Sequence, residues 1–385
     1  MLQTGLINDA HSDLVTCAVY DFYGTRLATC GLDQKICVWA LSTTAIDSSP
    51  QWSLQTEWKA HQAPIASLSW AHPQFGDVLA SASFDRTVRI WEKVPGEKTY
   101  NESALFLDFC GSVRQVEFAP AGYGLRLATV ATDGWVRVYE CLDWNRLDVW
   151  ALADALDLER KGVERPSAVT AQGEKDKDGG EEEDRSSVAN PPGGSKEADG
   201  GWSLSWCKDP YGPRFLAVVV GQCSSVNIIQ FSPSRSPNII FKLDLPPSSP
   251  PPNTNRTITS VSWAPSCGRS YHLIATGDRE GHVRIWRVDD QGQDTTGDED
   301  GGDTDEEEPG RQSRHSWSAK LVADFDDHAN APGMTDGVVG KVEWNVTGTI
   351  LSSSGSDGRV RLWKATTTSA GRIWRIAGSV GVEQR

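Results

Sequence analysis

The 385-residue sequence contains no long apolar run, and its longest aliphatic stretch, Leu216 to Val220, is far too short to cross a bilayer. The amino terminus lacks the charged start and apolar core of a secretory signal peptide. The eight cysteines are scattered, with no C-x-x-C pair and no clustering of the kind that binds metal. We therefore expect a soluble intracellular protein with reduced thiols and without a metal or other cofactor.

Motifs that would indicate catalysis are also missing. The sequence has no G-x-x-x-x-G-K-[ST], no H-E-x-x-H and no G-x-S-x-G, and its seven histidines are dispersed. The formal charge of −15 is local, because residues 174–184 contribute −5 and residues 294–308 contribute −9. The remainder is nearly neutral and has no basic stripe, which argues against direct binding of nucleic acid. An enzyme is not expected.

What the sequence does contain is a repeated string, represented by LASASFDRTVRIW at residues 79–91. Two short β-prone runs flank a turn-forming segment, so the string predicts a β-hairpin. In five copies a Ser or Thr lies four residues before an acidic residue, and an aromatic residue lies six residues after that acidic residue. The five sets are Thr29, Asp33 and Trp39; Ser81, Asp85 and Trp91; Thr129, Asp133 and Tyr139; Thr276, Glu280 and Trp286; and Ser353, Asp357 and Trp363.

The spacing of these copies predicts an all-β propeller of six four-stranded blades that forms a single domain over residues 1–385. Six inner strands are each expected to end in an aromatic residue: Tyr20, Trp70, Phe118, Trp206, Trp263 and Trp344. Two polar segments interrupt the array and are predicted to be disordered acidic insertions. Residues 160–199 would separate blades three and four, and residues 289–314 would lie within blade five.

The repeat resembles the WD-repeat family. That resemblance implies that a His before the inner strand joins the hydroxyl, the acid and the Trp in a hydrogen-bonded chain, and His11 and His61 complete such a set in blades one and two. A His, a Ser and an Asp also suggest a catalytic triad. Because the same residue types recur in successive blades, whereas an active site is needed once, we interpret the sets as structural.

A six-bladed array can close on itself, or it can stay open and leave the faces of blades one and six to a partner. Residues 372–377 are predicted to complete blade six, which leaves residues 4–7 as a spare short strand. Uncovered apolar faces would favour association with a partner. The candidate partner-binding residues at the open edge are Leu6, Ile7, Ile373, Trp374 and Ile376.

Residues 344–365 (WNVTGTILSSSGSDGRVRLWKA), with residues 21–24 and 263–269, resemble the Seh-type WD-repeat nucleoporins of the Y-shaped nuclear pore scaffold complex. The resemblance implies a scaffold subunit of the pore outer ring at the nuclear envelope, supporting transport of protein and mRNA. An elongated α-helical nucleoporin would donate the missing blade, alongside other Y-complex nucleoporins. It also implies a role at the vacuole or lysosome surface, with a helical subunit of a complex that regulates nutrient (TOR) signalling.

Two alternatives remain open at this point. Residues 23–30 (YGTRLATC) are also similar to the Sec-type coat propeller, which would make the chain a vesicle-coat subunit. A closed propeller that binds peptide tails on one face is the other alternative, and such a ring would be stable without a partner.

Overall fold

Six four-stranded antiparallel sheets follow one another along the chain in a computed structural model. It describes residues 7, 9–42, 51–94, 96, 99–159, 200–209, 212–232, 235–246, 256–291, 316–326, 337–368 and 371–381. Within each sheet the strands pair in chain order, so every blade is a simple meander. The predicted all-β propeller of six blades is confirmed.

Blades one to three contain the first twelve strands. Blade one consists of β1 (Val15–Tyr20), β2 (Arg26–Gly31), β3 (Lys35–Ser42) and β4 (Gln51–Lys59). Blade two consists of β5 (Ile65–Trp70), β6 (Val78–Ser83), β7 (Val88–Glu92) and β8 (Asn101–Phe106). Blade three consists of β9 (Val113–Phe118), β10 (Arg126–Ala131), β11 (Trp135–Cys141) and β12 (Trp150–Asp157). Short 3-10 helices, Pro73–Phe75 and Ala121–Tyr123, follow β5 and β9.

Blades four to six contain the remaining twelve strands. Blade four consists of β13 (Gly201–Trp206), β14 (Phe215–Gly221), β15 (Ser225–Ser232) and β16 (Arg235–Asp244). Blade five consists of β17 (Ile258–Trp263), β18 (His272–Asp278), β19 (His282–Gln291) and β20 (Ser316–Asp326). Blade six consists of β21 (Val339–Trp344), β22 (Ile350–Gly355), β23 (Arg359–Thr368) and β24 (Gly371–Gly381).

All six inner strands end at the aromatic residue that the sequence predicts. The carboxyl-terminal strand β24 pairs with β23, so blade six is completed by its own chain, as predicted. One predicted boundary is wrong, because residues 289–291 are not part of the second insertion. They extend β19 and pair with the start of β20, where Asp290 lies opposite Trp317. Residues 160–199 and 292–314 lie outside the described residues.

The hairpin turns explain why an acidic residue recurs between the second and third strands. The carboxylates of Asp33, Asp85, Asp133 and Asp357 each accept the main-chain N–H two residues later, at 3.0–3.2 Å. The residue between acid and donor has a positive φ in each turn, and two of these residues, Gln34 and Arg86, are not glycine. The side-chain bond therefore holds a conformation that most residues avoid.

The apolar core lies between neighbouring blades. Buried residues form five clusters, and each joins one blade to the next along the series from blade one to blade six. Blade four, which lacks the polar set, contributes the fully buried Leu216 and Val218 to one cluster and Ala217 and Val219 to the next. The alternation of side chains along a strand lets one sheet serve both neighbours.

Candidate functional site

Blades one and two contain complete polar chains. In blade two, His61 Nδ1 lies 2.9 Å from Asp85 Oδ2 and its Nε2 lies 2.7 Å from Ser81 Oγ. Trp91 Nε1 donates to the same Ser81 oxygen at 2.8 Å. In blade one, His11 bridges Asp33 and Thr29 at 3.0 and 2.8 Å, and Trp39 donates to Thr29 at 2.9 Å.

The order Asp–His–Ser matches a catalytic triad, but the surroundings of the hydroxyl do not. Ser81 is fully buried, and its oxygen already meets both His61 and Trp91. A nucleophile needs an approach path for its substrate, which this hydroxyl lacks. Burial alone would raise the pKa of Asp85, but hydrogen bonds from His61 and Thr87 outweigh it and hold the pKa well below its usual range. The arrangement suits a satisfied polar core, and its structural role stays a prediction.

The other three sets differ from the predicted chain. Tyr139 does not meet Thr129 but donates to Asp108 at 3.3 Å. In blades five and six the Trp does reach the hydroxyl, with Trp286 donating to Thr276 at 3.1 Å and Trp363 to Ser353 at 2.9 Å.

An arginine replaces the histidine in these three blades. Arg137 pairs with Asp133 at 2.9 Å, and Arg361 pairs with Asp357 at 2.6 Å. In blade five the buried Arg284 pairs with Asp278. The guanidinium is buried in each case, and a buried cation requires a carboxylate beside it. These arginines were not among the predicted residues, although each lies four residues after the predicted acid of its set.

The assignment of Glu280 needs correction. Asp278, and not Glu280, accepts the main-chain N–H groups of the blade-five turn, and its side chain is almost completely buried. Glu280 pairs with Arg256 at 3.0 Å. The turn sequence offers two acids two residues apart, and Asp278, which pairs with the buried Arg284, takes the structural position.

The sixth gap, between blades six and one, differs from the other five. Inner strands of successive blades pack against each other from β1 to β21, whereas β21 and β1 make no comparable contact. None of the apolar clusters among the described residues joins blade six to blade one. A cleft of about 320 Å³ lies there, lined by β1 and by residues of blade six that include Lys341, Glu343 and Val360. We call this gap the seam.

The face that blade one presents to the seam is uncovered around Tyr20. Tyr20 is 61% exposed, whereas the equivalent Trp206 of blade four is 1% exposed beneath the preceding blade. Leu54, opposite Trp39 in the sheet, is also exposed. Deeper in this face Leu27, Cys37 and Trp39 form a small cluster, and Ile7, Ala10 and Trp52 pack against it.

The facing side of blade six is also uncovered. Val360 is 41% exposed and Leu362 is half-buried, whereas the equivalent strand residues of the other five blades are almost completely buried. Those equivalents are Ile36 and Val38, Val88 and Ile90, Val136 and Val138, Val226 and Ile228, and Val283 and Ile285. The neighbouring strand carries Ser352 and Ser354 where blade two has Ala80 and Ala82. The seam is therefore lined by an apolar patch with polar residues toward its inner side.

The five predicted edge residues are distributed differently from the prediction. Trp374 is wrong as an edge residue, because it is 7% exposed and its ring lies 5.4 Å from that of Trp344 in the core between blades five and six. Ile376 lies on the same face as Trp374 by the strand alternation, and it is exposed. Ile373 lies on the opposite face, toward the seam, and is exposed. Ile7 is half-buried and is not in a strand, and Leu6 lies outside the described residues.

Among the described residues, no group of three or more His, Cys, Asp or Glu side chains is placed to hold a metal ion. No helix in the same part of the chain is long and apolar enough to span a membrane.

The comparison with known proteins separates the blades in which a Trp donates to the buried hydroxyl from the other two blades. The family model for the WD domain, G-beta repeat, matches residues 4–40, 52–92, 250–287 and 320–364. These ranges take in most of the first three strands of blades one, two, five and six, in which a Trp donates to the buried hydroxyl. Nucleoporin SEH1 of Saccharomyces cerevisiae is 33% identical over 93% of this chain and 95% of its own length. This chain belongs to the nucleoporin SEH1 family.

Other members of that family support the assignment. Nucleoporin seh1 of Schizosaccharomyces pombe is 30% identical over 98% of this chain and 96% of its own length. Nucleoporin SEH1 of Homo sapiens is 30% identical over 92% of this chain and 82% of its own length. The crystal structure of Chaetomium thermophilum Sqt1 bound to the N-terminus of the ribosomal protein L10 matches with a TM-score of 0.56 and 17% identity, over 97% of this chain and 76% of that one. That likeness concerns the fold alone. Together with the propeller fold, the family suggests a structural, non-enzymatic protein.

Proposed function

We propose that this chain is a scaffold subunit of the outer ring of the nuclear pore complex, and that it accepts one blade from an elongated α-helical nucleoporin into the seam. The observation that carries the proposal is that blades one and six face each other across the seam with Tyr20 and Val360 uncovered. The membership of the SEH1 family supports the location at the nuclear envelope. Through this attachment the subunit would join the other Y-complex nucleoporins and support transport of protein and mRNA.

The physics of the seam favours a partner that supplies a whole blade. A flat peptide would cover one of the two faces, whereas a four-stranded sheet can bury both Tyr20 and Val360. Burial of apolar surface on two sides stabilises such a complex by about 25 cal/mol per Å² before the costs of association. An interface of this kind is obligate in character and larger than about 2,000 Å² in total.

The test is co-purification of tagged variants with the helical nucleoporin, together with imaging at the nuclear rim. Val360→Arg places a charge on the seam face, and Val322→Arg is the matched control, because Val322 is also a strand valine that is 41% exposed. We expect the first variant to lose the partner and the rim signal and the second to keep both. Equal recovery of the partner by both variants would contradict the proposal. Retained binding with localisation to transport vesicles would instead support a coat subunit.

The same seam extends the proposal to a second assembly. A blade-donating helical subunit of a vacuolar or lysosomal nutrient-signalling complex would use the same two faces, because the described blades leave one gap of this kind. The two assemblies would then be mutually exclusive for each molecule. Immunoprecipitation of one helical partner should recover this chain without the other partner. The Val360→Arg variant of this chain should be recovered with neither partner.

A further inference from the structure

A repeated set of side-chain to main-chain hydrogen bonds joins the inner strands of neighbouring blades. Ser69 Oγ accepts the N–H of Phe118, Glu117 Oε2 accepts that of Trp206, and Ser205 Oγ accepts that of Trp263, each at 3.0 Å. In each pair the acceptor is the penultimate residue of one inner strand, and the donor is the last residue of the next. These strands are the inner edges of their sheets, so their outward N–H groups need partners from elsewhere.

A second row of bonds lies two residues earlier. The acceptor side chains are Ser67, Gln115, Ser203 and Ser260, and the donors are the N–H groups of Val116, Leu204, Val261 and Val342, at 3.0–3.5 Å. The two rows explain a tetrapeptide of polar, apolar, polar and aromatic residues at the end of the inner strands of blades two to six, which blade one (CAVY, residues 17–20) lacks. It reads SLSW in blade two, QVEF in blade three, SLSW in blade four, SVSW in blade five and KVEW in blade six.

Blade six carries this device toward the seam, where no further blade of the chain follows. Glu343 occupies the position of Ser69, Glu117 and Ser205, and it lines the cleft with a side chain that is 53% exposed. Lys341 Nζ lies 2.6 Å from its Oε1. Among the described residues, no main-chain N–H is hydrogen-bonded to this carboxylate.

The interface between blades three and four contains a similar arrangement in its occupied form. The ammonium of Lys208 pairs with Glu117 Oε1, while Glu117 Oε2 accepts the N–H of Trp206. Lys208 also lies within electrostatic range of Glu343. Glu343 therefore resembles Glu117, because a lysine ammonium pairs with one of its carboxylate oxygens. Its other oxygen can accept a main-chain N–H, as Glu117 Oε2 does. A charged acceptor of this type forms a stronger hydrogen bond than a neutral one.

We propose that Glu343 is a docking residue that fixes the register of the incoming blade, by accepting the N–H of the last residue of that blade's inner strand. This inference rests on the proposed function, because it requires a blade in the seam. On the other side of the seam, the N–H groups of Ala18 and Tyr20 occupy the positions of the donors in the other blades. The donated inner strand therefore carries the same pattern, with hydrogen-bond acceptors at the first and third positions of a tetrapeptide that ends in an aromatic residue.

The test measures the affinity of the purified chain for the blade-donating segment of the helical nucleoporin by calorimetry. Glu343→Leu removes the acceptor at similar volume, and Glu343→Gln keeps an oxygen without the charge. Glu102→Leu is the matched control, because Glu102 is also a strand glutamate in an ion pair, with Arg89 at 2.7 Å. We expect Glu343→Leu to weaken binding by about tenfold to a hundredfold, Glu343→Gln by less, and Glu102→Leu by less than about twofold.

Hydrogen exchange on the bound segment gives the second readout. In the wild-type complex one amide, at the last residue of the inner strand, should be protected, and Glu343→Leu should lower its protection more than that of its neighbours. Wild-type affinity and unchanged protection in Glu343→Leu would overturn the docking role while leaving the blade in the seam. Failure of the wild-type chain to bind any blade-donating segment would overturn the proposed function itself.

Discussion

The interface between blades two and three and the seam between blades six and one are built from equivalent positions but have opposite environments. Val88 is fully buried against blade three, whereas Val360, at the same place in blade six, is 41% exposed. Phe118 is buried under the preceding blade, and Tyr20 is not. The comparison teaches that blade six keeps an apolar residue at this position although no blade among the described residues covers it.

The largest expected difference follows from introducing a charge at the two valine positions. Val88→Asp would place an unpaired carboxylate in a full core and should lower the free energy of unfolding by about 3–5 kcal/mol. Val360→Asp should lower it by less than about 1 kcal/mol in the isolated chain, because water still reaches the side chain. Urea denaturation followed by tryptophan fluorescence measures both. Equal destabilisation would mean that the seam is already filled.

Substitution of the inner-strand aromatic residues should also cost more stability at a covered interface than at the seam, by a slightly smaller difference. Trp206→Ala would leave a cavity between blades three and four and is expected to cost about 3–5 kcal/mol. Tyr20→Ala should change the stability of the free chain by less than about 1 kcal/mol but should weaken partner binding. Calorimetric melting of each variant, with and without the partner, separates these effects. A large loss of stability in free Tyr20→Ala would contradict the comparison.

The polar chains should contribute less than the apolar interfaces. Asp85→Ala would leave His61 and the turn N–H groups without their acceptor, and we expect a loss of about 1–3 kcal/mol. The folded mutant should still bind its partner, because Asp85 lies away from the seam. A mutant that melts like the wild type but loses a binding or enzymatic activity would contradict the structural interpretation.

The pH dependence of stability checks the same carboxylates. The pKa values of Asp33 and Asp85 are lowered in the folded chain, where hydrogen bonds to the ionised form outweigh burial. Their contribution is therefore present above the unfolded pKa of about 4 and is lost as the pH falls toward the folded pKa. Melting temperature should fall below about pH 4, and less steeply in Asp85→Asn. Identical slopes for mutant and wild type would exclude this linkage.

The smallest effect is expected from deleting residues 294–308. The flanking strands β19 and β20 are paired up to Gln291 and Ser316, so a short replacement loop should leave the fold intact. The melting temperature should change by less than about 2 °C. Partner affinity should also be retained, and its loss would show that the acidic segment takes part in recognition.

Much of this architecture could be predicted because each blade repeats its own local signals. The aromatic ends of the inner strands, the turn acids and the strand-c aromatics are short-range patterns that depend on strand alternation and turn geometry. The two histidine chains were implied by the resemblance to the WD-repeat family, and in the structure His11 and His61 contact Thr29 and Ser81.

The prediction of Trp374 as an edge residue was wrong because the face on which a strand residue lies depends on how the strand pairs. A β-bulge lies opposite Trp363, and Ala377 is the extra residue in β24. Sequence alternation alone could not show that Trp374 points into the core while Ile373 points toward the seam. The arginines that replace histidine were missed for a related reason, since an isolated Arg on a strand gives no sign that it is buried beside an acid.

Hydrogen exchange of the whole chain, with and without the blade-donating segment of the helical nucleoporin, tests the central claim most directly. On binding, protection should rise in β1 and β21 and stay unchanged in β9 and β13, whose outer faces are already covered by neighbouring blades. If β1 and β21 exchange as slowly as β9 in the free chain, and the segment changes neither, the ring is closed and the seam is not a binding site.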